Sequence, residues 1–316
     1  MFYATSFFII LGRDHGPDEM RIFIVILVFS GLGKLVYAQS SDTLDRKKLT
    51  RIIIAESAFY AGGISYLQFI WYKDKERVPF HFYNDNQGYL QVDKFGHAFG
   101  AYMESYIGYH WLRSAGVSRK KALIYGGPLG LVLQTPIEIF DGMYEGWGFS
   151  WGDMIANAAG SALVVGNELV FKEQLIKLKF SYWRSTYAKE ANGYLGDHFL
   201  ESLFLDYNAH TYWLSFPLTM KNTQSRIPGW LNLSVGYSAN GMFGEFSNRS
   251  SYRGVALPQT ERYRQYLFSL DVDWTKIPTS SAFLNTLFKV LVFIKLPFPA
   301  IELNTKGEIK LYGVYF

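Results

Sequence analysis

The spacing of hydrophobic residues divides the chain into a helical first half and a strand-rich second half. Up to about Leu175, apolar residues recur every three or four positions, as on one face of a helix. From Ile176 onward they alternate with polar residues, which is the two-residue period of a strand. The sequence therefore predicts an α+β fold, in which an N-terminal bundle of about four apolar, glycine-rich helices precedes an antiparallel β-region.

The helical half contains four stretches of sufficient length, at about residues 49–72, 93–115, 119–140 and 151–175. Ser118 is suited to cap the third helix, whereas Pro128 and Pro136 predict a bend within it. Loops rich in aromatic, glycine and turn residues separate the first helix from the second and the third from the fourth. We therefore take residues 39–175 as a helical domain.

The second half contains six stretches with strand alternation, near residues 178–183, 212–216, 231–237, 266–274, 300–303 and 308–316. A helical insertion is predicted near residues 281–295. The strongly aromatic apolar face of these strands favours an outer-membrane-type β-region whose apolar face contacts lipid, and the last strand ends on Phe316, as is common in outer-membrane barrels. Residues 176–316 are thus predicted to form a partial or small barrel, since the smallest bacterial barrels have about eight strands. A water-soluble sheet that covers a core produces the same alternation and is the alternative.

The N-terminal region has the parts of an export signal. Met20 and Arg21 precede an apolar run, and small residues lead up to Ala38, after which cleavage is expected. Residues 1–19 fit no part of such a signal, so Met20 is the expected initiator within a signal-peptide region of residues 1–38. The alternative is an uncleaved membrane anchor, which would place the helices in the inner membrane.

Composition narrows the classes of function. Charged residues make up only 18% of the 316 residues and aromatic residues also 18%, which is typical of contact with a membrane–water interface. The net charge of +4 is small and spread along the chain, which argues against nucleic-acid binding. The absence of cysteine excludes disulfides, thiolate metal sites, a cysteine nucleophile and acylation of an N-terminal cysteine.

Polar residues occupy positions in the helices where an apolar stripe is expected. They are Asp93, Lys94, His97 and Glu104 in the second helix, Gln134, Glu138 and Asp141 in the third, and Asp153 and Asn157 in the fourth. Most are spaced three, four or seven apart within their helix, which places them on one face. Because burying such groups unpaired costs several kcal/mol each, we expect the three faces to meet.

Two kinds of chemistry fit this polar cluster. His97, Glu138 and Asp153 are candidates for a general acid–base set. His97, Glu138, Asp141 and Asp153 are candidate ligands for a divalent metal, the only cofactor that the sequence suggests. Asp93, Lys94, Glu104, Gln134 and Asn157 are expected to support the cluster. In the structural alternative, Ser150 and Asp153 form a helix capping box, and the other groups are salt-bridged or packed.

The motifs of this cluster resemble those of one uncharacterised envelope family. They are Asp93-Lys94-x-x-His97, Glu138-x-x-Asp141 and Ser150-x-x-Asp153-x-x-x-Asn157. They are similar to the YfiM-like "predicted periplasmic lipoprotein" family, domain-of-unknown-function family 2279, and the likeness is expected to extend from about Arg51 through the β-region. A looser likeness links the VanZ-like membrane family to Asp93, Lys94, His97, Glu138, Asp153 and Asn157. The resemblance implies a location and site candidates, but no reaction.

The sequence thus predicts a cell-envelope protein of the outer membrane or its periplasmic face, with a structural or accessory role. Membrane lipid is the expected partner, along with other envelope proteins, and anchoring is expected from the β-region or the helices. The alternative is a membrane-associated enzyme that acts on envelope lipid or lipid-linked glycan through the His/Glu/Asp cluster.

Overall fold

The computed structural model describes residues 43–73, 75–219 and 226–316. The predicted export signal, its cleavage site and the expected initiator Met20 lie outside the described residues. Five helices come first: α1 (Arg46–Tyr66), α2 (Val92–Ser114), α3 (Arg119–Gly126), α4 (Leu129–Asp141) and α5 (Trp151–Val170). A π-helical turn (Leu67–Trp71) extends α1, and a 3-10 turn (Gly88–Gln91) leads into α2.

The predicted third helix is two helices, α3 and α4, because Gly127 and Pro128 interrupt it. Pro136 lies inside α4 without ending it. The combined stretch Arg119–Asp141 is, by length and composition, the one described helical segment that could cross a membrane. A core helix would pass the same criterion, so this stretch does not decide the location.

Small residues bring α2, α4 and α5 into close contact. A Cβ atom at Gly130 or at Gly160 would lie 2.0 Å from a carbonyl oxygen of α2, that of Ala101 or Ala98 respectively. Beside these contacts the Ser105 hydroxyl donates to the Ser161 hydroxyl at 2.9 Å. The helices are therefore near enough for polar side chains on their facing surfaces to touch.

The helices do not form the regular four-helix bundle that the sequence suggests. The first helix, α1, packs on α2 through Ile52, which contacts Trp111 and Ala115, while Ile54 and Phe59 of α1 are exposed. The packed unit is α2, α4 and α5 with the short α3. The recurrence of apolar residues every three or four positions in α1 predicts a helix, but it does not predict which neighbouring element covers that helix.

The second half forms an antiparallel six-stranded sheet in the order β1-β2-β3-β6-β7-β8. Its strands are β1 (Lys177–Tyr182), β2 (His210–Pro217), β3 (Leu231–Asn240), β6 (Tyr263–Val272), β7 (Phe298–Asn304) and β8 (Ile309–Tyr315). The short β4 (Ser251–Tyr252) and β5 (Val255–Ala256) form a separate pair. Helix α6 (Phe199–Leu205) precedes β2, and helix α7 (Ala282–Val290) lies where the sequence predicts a helical insertion.

The sheet does not close into a barrel. Its edge strands β1 and β8 form no ladder with each other in the described part of the chain. Beside β1 lies instead the segment before β7, where the Lys295 N–H donates to the Phe180 carbonyl at 3.0 Å. The end of β8 curls toward β2, since the Tyr315 hydroxyl is 3.3 Å from that of Thr211. The structure therefore limits the predicted β-region to a curled, open sheet.

The polarity of the two faces of this sheet is the reverse of that in a water-soluble sheet, because the buried face is polar and the exposed face is apolar. The residues of the inner face include Lys177, Lys179, Ser215, Asn232, Ser234, Asp271 and Glu302, whose exposed fractions are 0 or 1%. The residues of the outer face include Tyr266, Phe268, Leu270, Ile301, Leu303, Ile309 and Leu311, whose exposed fractions are 39–78%. The predicted alternation is thus present, and the polar side is the buried one, as expected of a sheet whose apolar face is turned outward.

One corner of the apolar outer face is covered by α2. Phe95 stacks on Tyr237 with ring centroids 4.5 Å apart, and Phe99 lies 5.7 Å from Phe180 and 5.9 Å from Tyr212. This contact fixes the start of α2, where the polar motifs lie, against the first three strands.

Candidate functional site

A partly buried lysine, Lys94, lies among three carboxylates at the start of α2. The ammonium of Lys94 lies 2.7 Å from Asp85 Oδ2, 3.1 Å from Asp93 Oδ2 and 2.7 Å from Asp153 Oδ1. Burial alone would lower the pKa of Lys94, but Asp93 and Asp153 raise it well above its ordinary value. Lys94 is therefore a permanent positive charge within the cluster.

His97 lies one turn further along α2, between two carboxylates. Its Nδ1 is 3.6 Å from Glu138 Oε1, and its Nε2 is 3.6 Å from Asp153 Oδ1. Both separations exceed hydrogen-bond length. Within the described residues, His97 Nδ1 and Glu138 Oε1 are buried atoms with no hydrogen-bond partner. The imidazole is thus held by charge and packing and keeps both nitrogens available.

The pKa values of His97, Glu138 and Asp153 reflect their burial and the excess of carboxylates around them. Burial lowers the pKa of His97, but the carboxylates of Asp93, Asp153 and Glu138 outweigh it and leave the pKa above its ordinary value. Burial raises the pKa of Glu138 to about 8, with Asp153 adding to the rise and His97 opposing it. Burial likewise raises the pKa of Asp153 to about 6, against the effect of His97. The cluster can therefore hold or release protons near neutral pH.

The helix cap and the cluster use the same residues. The Ser150 hydroxyl accepts the Asp153 N–H at 3.1 Å at the start of α5 and donates to Asp85 Oδ1 at 2.5 Å. The carboxylate of Asp153 itself reaches Lys94 and His97. Ser150 thus provides the cap through its hydroxyl, and this leaves the Asp153 carboxylate for the cluster.

Not all predicted members lie together. Asp141 accepts a hydrogen bond of 2.5 Å from the Tyr72 hydroxyl, and burial raises its pKa to about 6. Glu104 accepts from the Gln134 amide at 3.1 Å, two turns along α2 from His97. The groups whose ligand atoms lie within 4.8 Å of one another are Asp93, His97 and Asp153. Asn157 is fully buried one turn beyond Asp153, and its amide atoms have no hydrogen-bond partner among the described residues.

Two groups that sequence spacing does not reveal also reach the cluster. The Tyr207 hydroxyl, from the turn before β2, donates to Asp93 Oδ1 at 3.0 Å. Asp85 comes from the loop before α2, where the polar run Asn84-Asp85-Asn86 is its only local signal. Both reach the cluster through tertiary contacts, which is why the periodicity of the helices does not predict them.

The chain enters α2 through a constrained turn. Tyr89, Leu90 and Gln91 have φ values of 45°, 51° and 68°, a left-handed conformation that costs free energy at residues other than glycine. The turn is held from the β-region, where Tyr237 donates to the Leu90 carbonyl and Arg264 donates to Gln91 Oε1 at 2.8 Å. Such strain is commonly retained where it positions functional groups, here Asp93 and Lys94.

Exposed aromatic rings flank the cluster. Phe82 and Trp151 are 62% and 61% exposed and stack with centroids 6.3 Å apart, and Phe149 packs edge-on against both. Trp151 lies two residues before Asp153 on α5. A ligand that reaches the cluster from this side would therefore meet an apolar, aromatic wall.

Comparison with known families identifies the segment that carries this geometry. Residues 81–167 match the family described as predicted periplasmic lipoprotein, domain of unknown function 2279. The resemblance found in the motifs is thereby confirmed, but the match ends at residue 167 and does not extend from Arg51 through the β-region. All cluster residues from Asp85 to Asn157 lie within it, and Tyr72 and Tyr207 lie outside it. No curated protein and no solved structure matches the chain.

The family description supports an exported, envelope-associated location. It also carries the word lipoprotein, whereas the 316 residues contain no cysteine that could be acylated. The family description names no reaction. The geometry of the cluster is therefore the basis for its chemistry.

Proposed function

We propose that the protein is embedded in the outer membrane or held on its periplasmic face, where the outer face of the sheet contacts lipid acyl chains. Its role there is structural or accessory, with the helical domain carried beside the membrane. The inverted polarity of the sheet carries this proposal.

A sheet that faces water on one side buries its apolar side chains and exposes its polar ones. Here the arrangement is reversed. Leu311 is 78% exposed on the outer face, while inside the sheet Lys177 pairs with Asp273 at 2.5 Å and Lys179 with Asp271 at 2.7 Å. Polar interiors with apolar exteriors are the pattern of sheets that face lipid.

The apolar side chains of the outer face are more stable in contact with lipid than with water. Transferring one Leu, Ile or Phe side chain out of water gains roughly 1.5–3 kcal/mol. Phe268, Leu270, Ile301, Leu303 and Leu311 lie next to one another across β6, β7 and β8 in the strand register. A contiguous apolar patch of this kind is rare on soluble monomers and indicates an interaction surface.

Membrane extraction tests this proposal. We expect the full chain, expressed in a Gram-negative host, to remain with the membrane fraction after a carbonate wash. Leu311→Glu should reduce that retention, because it places a charge on the outer face, whereas Ser250→Glu, on an exposed loop away from this face, should not. Recovery of the wild-type chain in the soluble periplasmic fraction would overturn the proposal.

A second candidate function is an enzyme that acts on envelope lipid or lipid-linked glycan. It is supported by His97 Nδ1 and Glu138 Oε1, buried atoms that have no hydrogen-bond partner among the described residues, and by the exposed rings of Phe82 and Trp151. In this hypothesis His97 acts as the base or as a metal ligand, while Glu138 and Asp153 orient it. Proton transfer of this kind requires a group whose pKa lies near the working pH.

Comparing strains tests the second candidate. We expect His97→Gln and Glu138→Gln to change the envelope lipid or glycan profile in the same way as deletion of the gene, with Glu104→Gln as the control for a buried carboxylate outside the site. If both variants fold and restore the wild-type profile, the enzyme hypothesis is lost, and the membrane proposal is unaffected.

A further inference from the structure

We propose that Asp93, His97 and Asp153 bind one divalent metal ion, with Zn²⁺ as the best fit, and that Glu138 orients the imidazole from behind. This set differs from the four candidates taken from the sequence, because the ligand atoms of Asp93, His97 and Asp153 lie within 4.8 Å of one another, whereas Glu138 faces the other ring nitrogen. The inference does not depend on how the sheet meets the membrane.

The separation between His97 Nε2 and Asp153 Oδ1 suits a shared ion better than a hydrogen bond. The ligand atoms of the three residues lie within 4.8 Å of one another, and His97 Nε2 is 3.6 Å from Asp153 Oδ1. Two ligands that are each roughly 2.1 Å from a tetrahedral Zn²⁺ lie ~3.4 Å apart. A direct N–H···O bond would instead need about 2.7–3.2 Å.

The unpartnered atoms on the other side of the ring provide an independent observation. Glu138 is only 1% exposed, and its Oε1 points at His97 Nδ1 from 3.6 Å, with neither atom hydrogen-bonded to another described residue. A histidine that binds metal through one nitrogen carries its proton on the other and commonly donates it to a carboxylate. An ion at Nε2 would therefore leave the ring proton on Nδ1. Glu138 Oε1 can accept a hydrogen bond from this N–H once the two atoms move a few tenths of an ångström closer.

The charge balance also favours a cation. Three carboxylates, those of Asp85, Asp93 and Asp153, contact the ammonium of Lys94, which is the permanent positive charge among them. Burying uncompensated negative charge is costly, and a divalent ion reduces the excess. Lys94 contacts the carboxylates of both Asp93 and Asp153, so it is at once a structural partner and the competing cation.

Three protein ligands leave one position of a tetrahedral ion open, which is the arrangement of catalytic and not of structural zinc sites. The open position would serve the second candidate function, and to that extent this part of the inference rests on it. Metal binding itself is measured without any substrate, so a failure of the enzyme hypothesis would not be mistaken for a failure of the site.

Metal titration of the purified full chain tests the inference. After removal of metal with a chelator in detergent, we expect one Zn²⁺ per chain by calorimetry, and Co²⁺ to give the absorption bands of a tetrahedral complex. His97→Ala and Asp153→Asn should abolish both signals. Glu138→Gln should weaken binding about 10–100-fold without abolishing it, as expected for a group behind the ligand.

Two further variants keep the test decisive. Glu104→Gln removes a buried carboxylate from the same helix and should leave Zn²⁺ affinity unchanged. Lys94→Met removes the competing cation and should tighten Zn²⁺ binding. The proposal is overturned if folded wild-type protein takes up no Zn²⁺ or Co²⁺, or if His97→Ala retains the tetrahedral Co²⁺ spectrum.

Discussion

His97 and Asp153 lie on different helices, 56 positions apart, yet His97 Nε2 is 3.6 Å from Asp153 Oδ1. The glycine contact between α2 and α5 makes this approach possible, because the backbone of Gly160 packs against that of Ala98, next to His97. The geometry of the cluster therefore depends as much on the small residues between the helices as on the charged residues themselves.

The first prediction concerns this helix contact. Gly160→Ala would place a Cβ atom 2.0 Å from the Ala98 carbonyl oxygen, so the helices must separate, and we expect unfolding free energy to fall by about 2 kcal/mol or more. Gly166→Ala, in the same helix but with nothing within 4 Å of its new Cβ, should be neutral or stabilising by up to about 1 kcal/mol. Chemical denaturation of both variants in detergent measures the difference, and equal effects would contradict the model of close helix packing.

The second prediction concerns Lys94 as the centre of the cluster. Lys94→Met leaves Asp85, Asp93 and Asp153 without their shared partner, and we expect a loss of about 3–5 kcal/mol of stability near neutral pH. The exposed Lys120→Met should have little effect. Thermal unfolding measures both, and added Zn²⁺ should restore part of the stability of Lys94→Met. A Lys94→Met variant as stable as wild type would mean that the carboxylates do not need the ammonium.

Helical spacing determines which part of the cluster can be predicted from the sequence. Asp93 and His97 are four residues apart, as are Asp153 and Asn157, so their shared faces follow from helix geometry alone. Asp85 and Tyr207 escape this reasoning, because a loop and a turn bring them in through tertiary packing. The site is therefore predictable as a set of helix faces, but not as a complete shell. The catalytic roles of His97, Glu138 and Asp153 stay predictions.

The β-region shows a different limit of prediction from the sequence. Alternation predicts six strands and two unlike faces, and the register aligns residues such as Leu233, Leu270 and Phe268 on one of them. Alternation alone does not tell which face is buried, because that depends on how the sheet curls and on what covers it. Closure likewise depends on strand number and curvature, and here the segment before β7 lies beside β1 in place of β8.

The third prediction uses pH. Burial raises the pKa of Glu104 to about 8, while the hydrogen bond from Gln134 of α4 and the charge of His97 lower it less. Tyr60 of α1 also faces this carboxylate, and the charge of Glu104 contributes to the raised pKa of Tyr60. In the unfolded chain a glutamate has a pKa of about 4.3. Between these values the folded state holds a proton that the unfolded state has released, so unfolding free energy falls as pH rises through this window.

We therefore expect wild-type protein to be less stable at pH 9 than at pH 5, and Glu104→Gln to remove on the order of 2 kcal/mol of that difference. Glu56, whose pKa burial raises to about 7, and Glu138 contribute with the same sign, so the comparison with Glu104→Gln isolates one residue. Unfolding titrations at the two pH values provide the measurement. A pH dependence that is identical in both proteins would show that Glu104 is not protonated in the folded state.

The last prediction concerns the ion pairs inside the sheet. Lys179 and Asp271 are both fully buried and 2.7 Å apart, so Lys179→Met should leave a buried charge and cost about 3–5 kcal/mol. Replacing both residues, as in Lys179→Met with Asp271→Leu, removes that charge and should recover most of the loss, because apolar side chains of similar volume can replace a buried pair.

The exposed pair of Lys310 and Glu308, at 2.8 Å, supplies the control, since Lys310→Met should cost less than about 1 kcal/mol. Denaturation in detergent distinguishes the cases: if the double variant is as unstable as the single one, the inner face needs the pair itself and not merely a neutral interior.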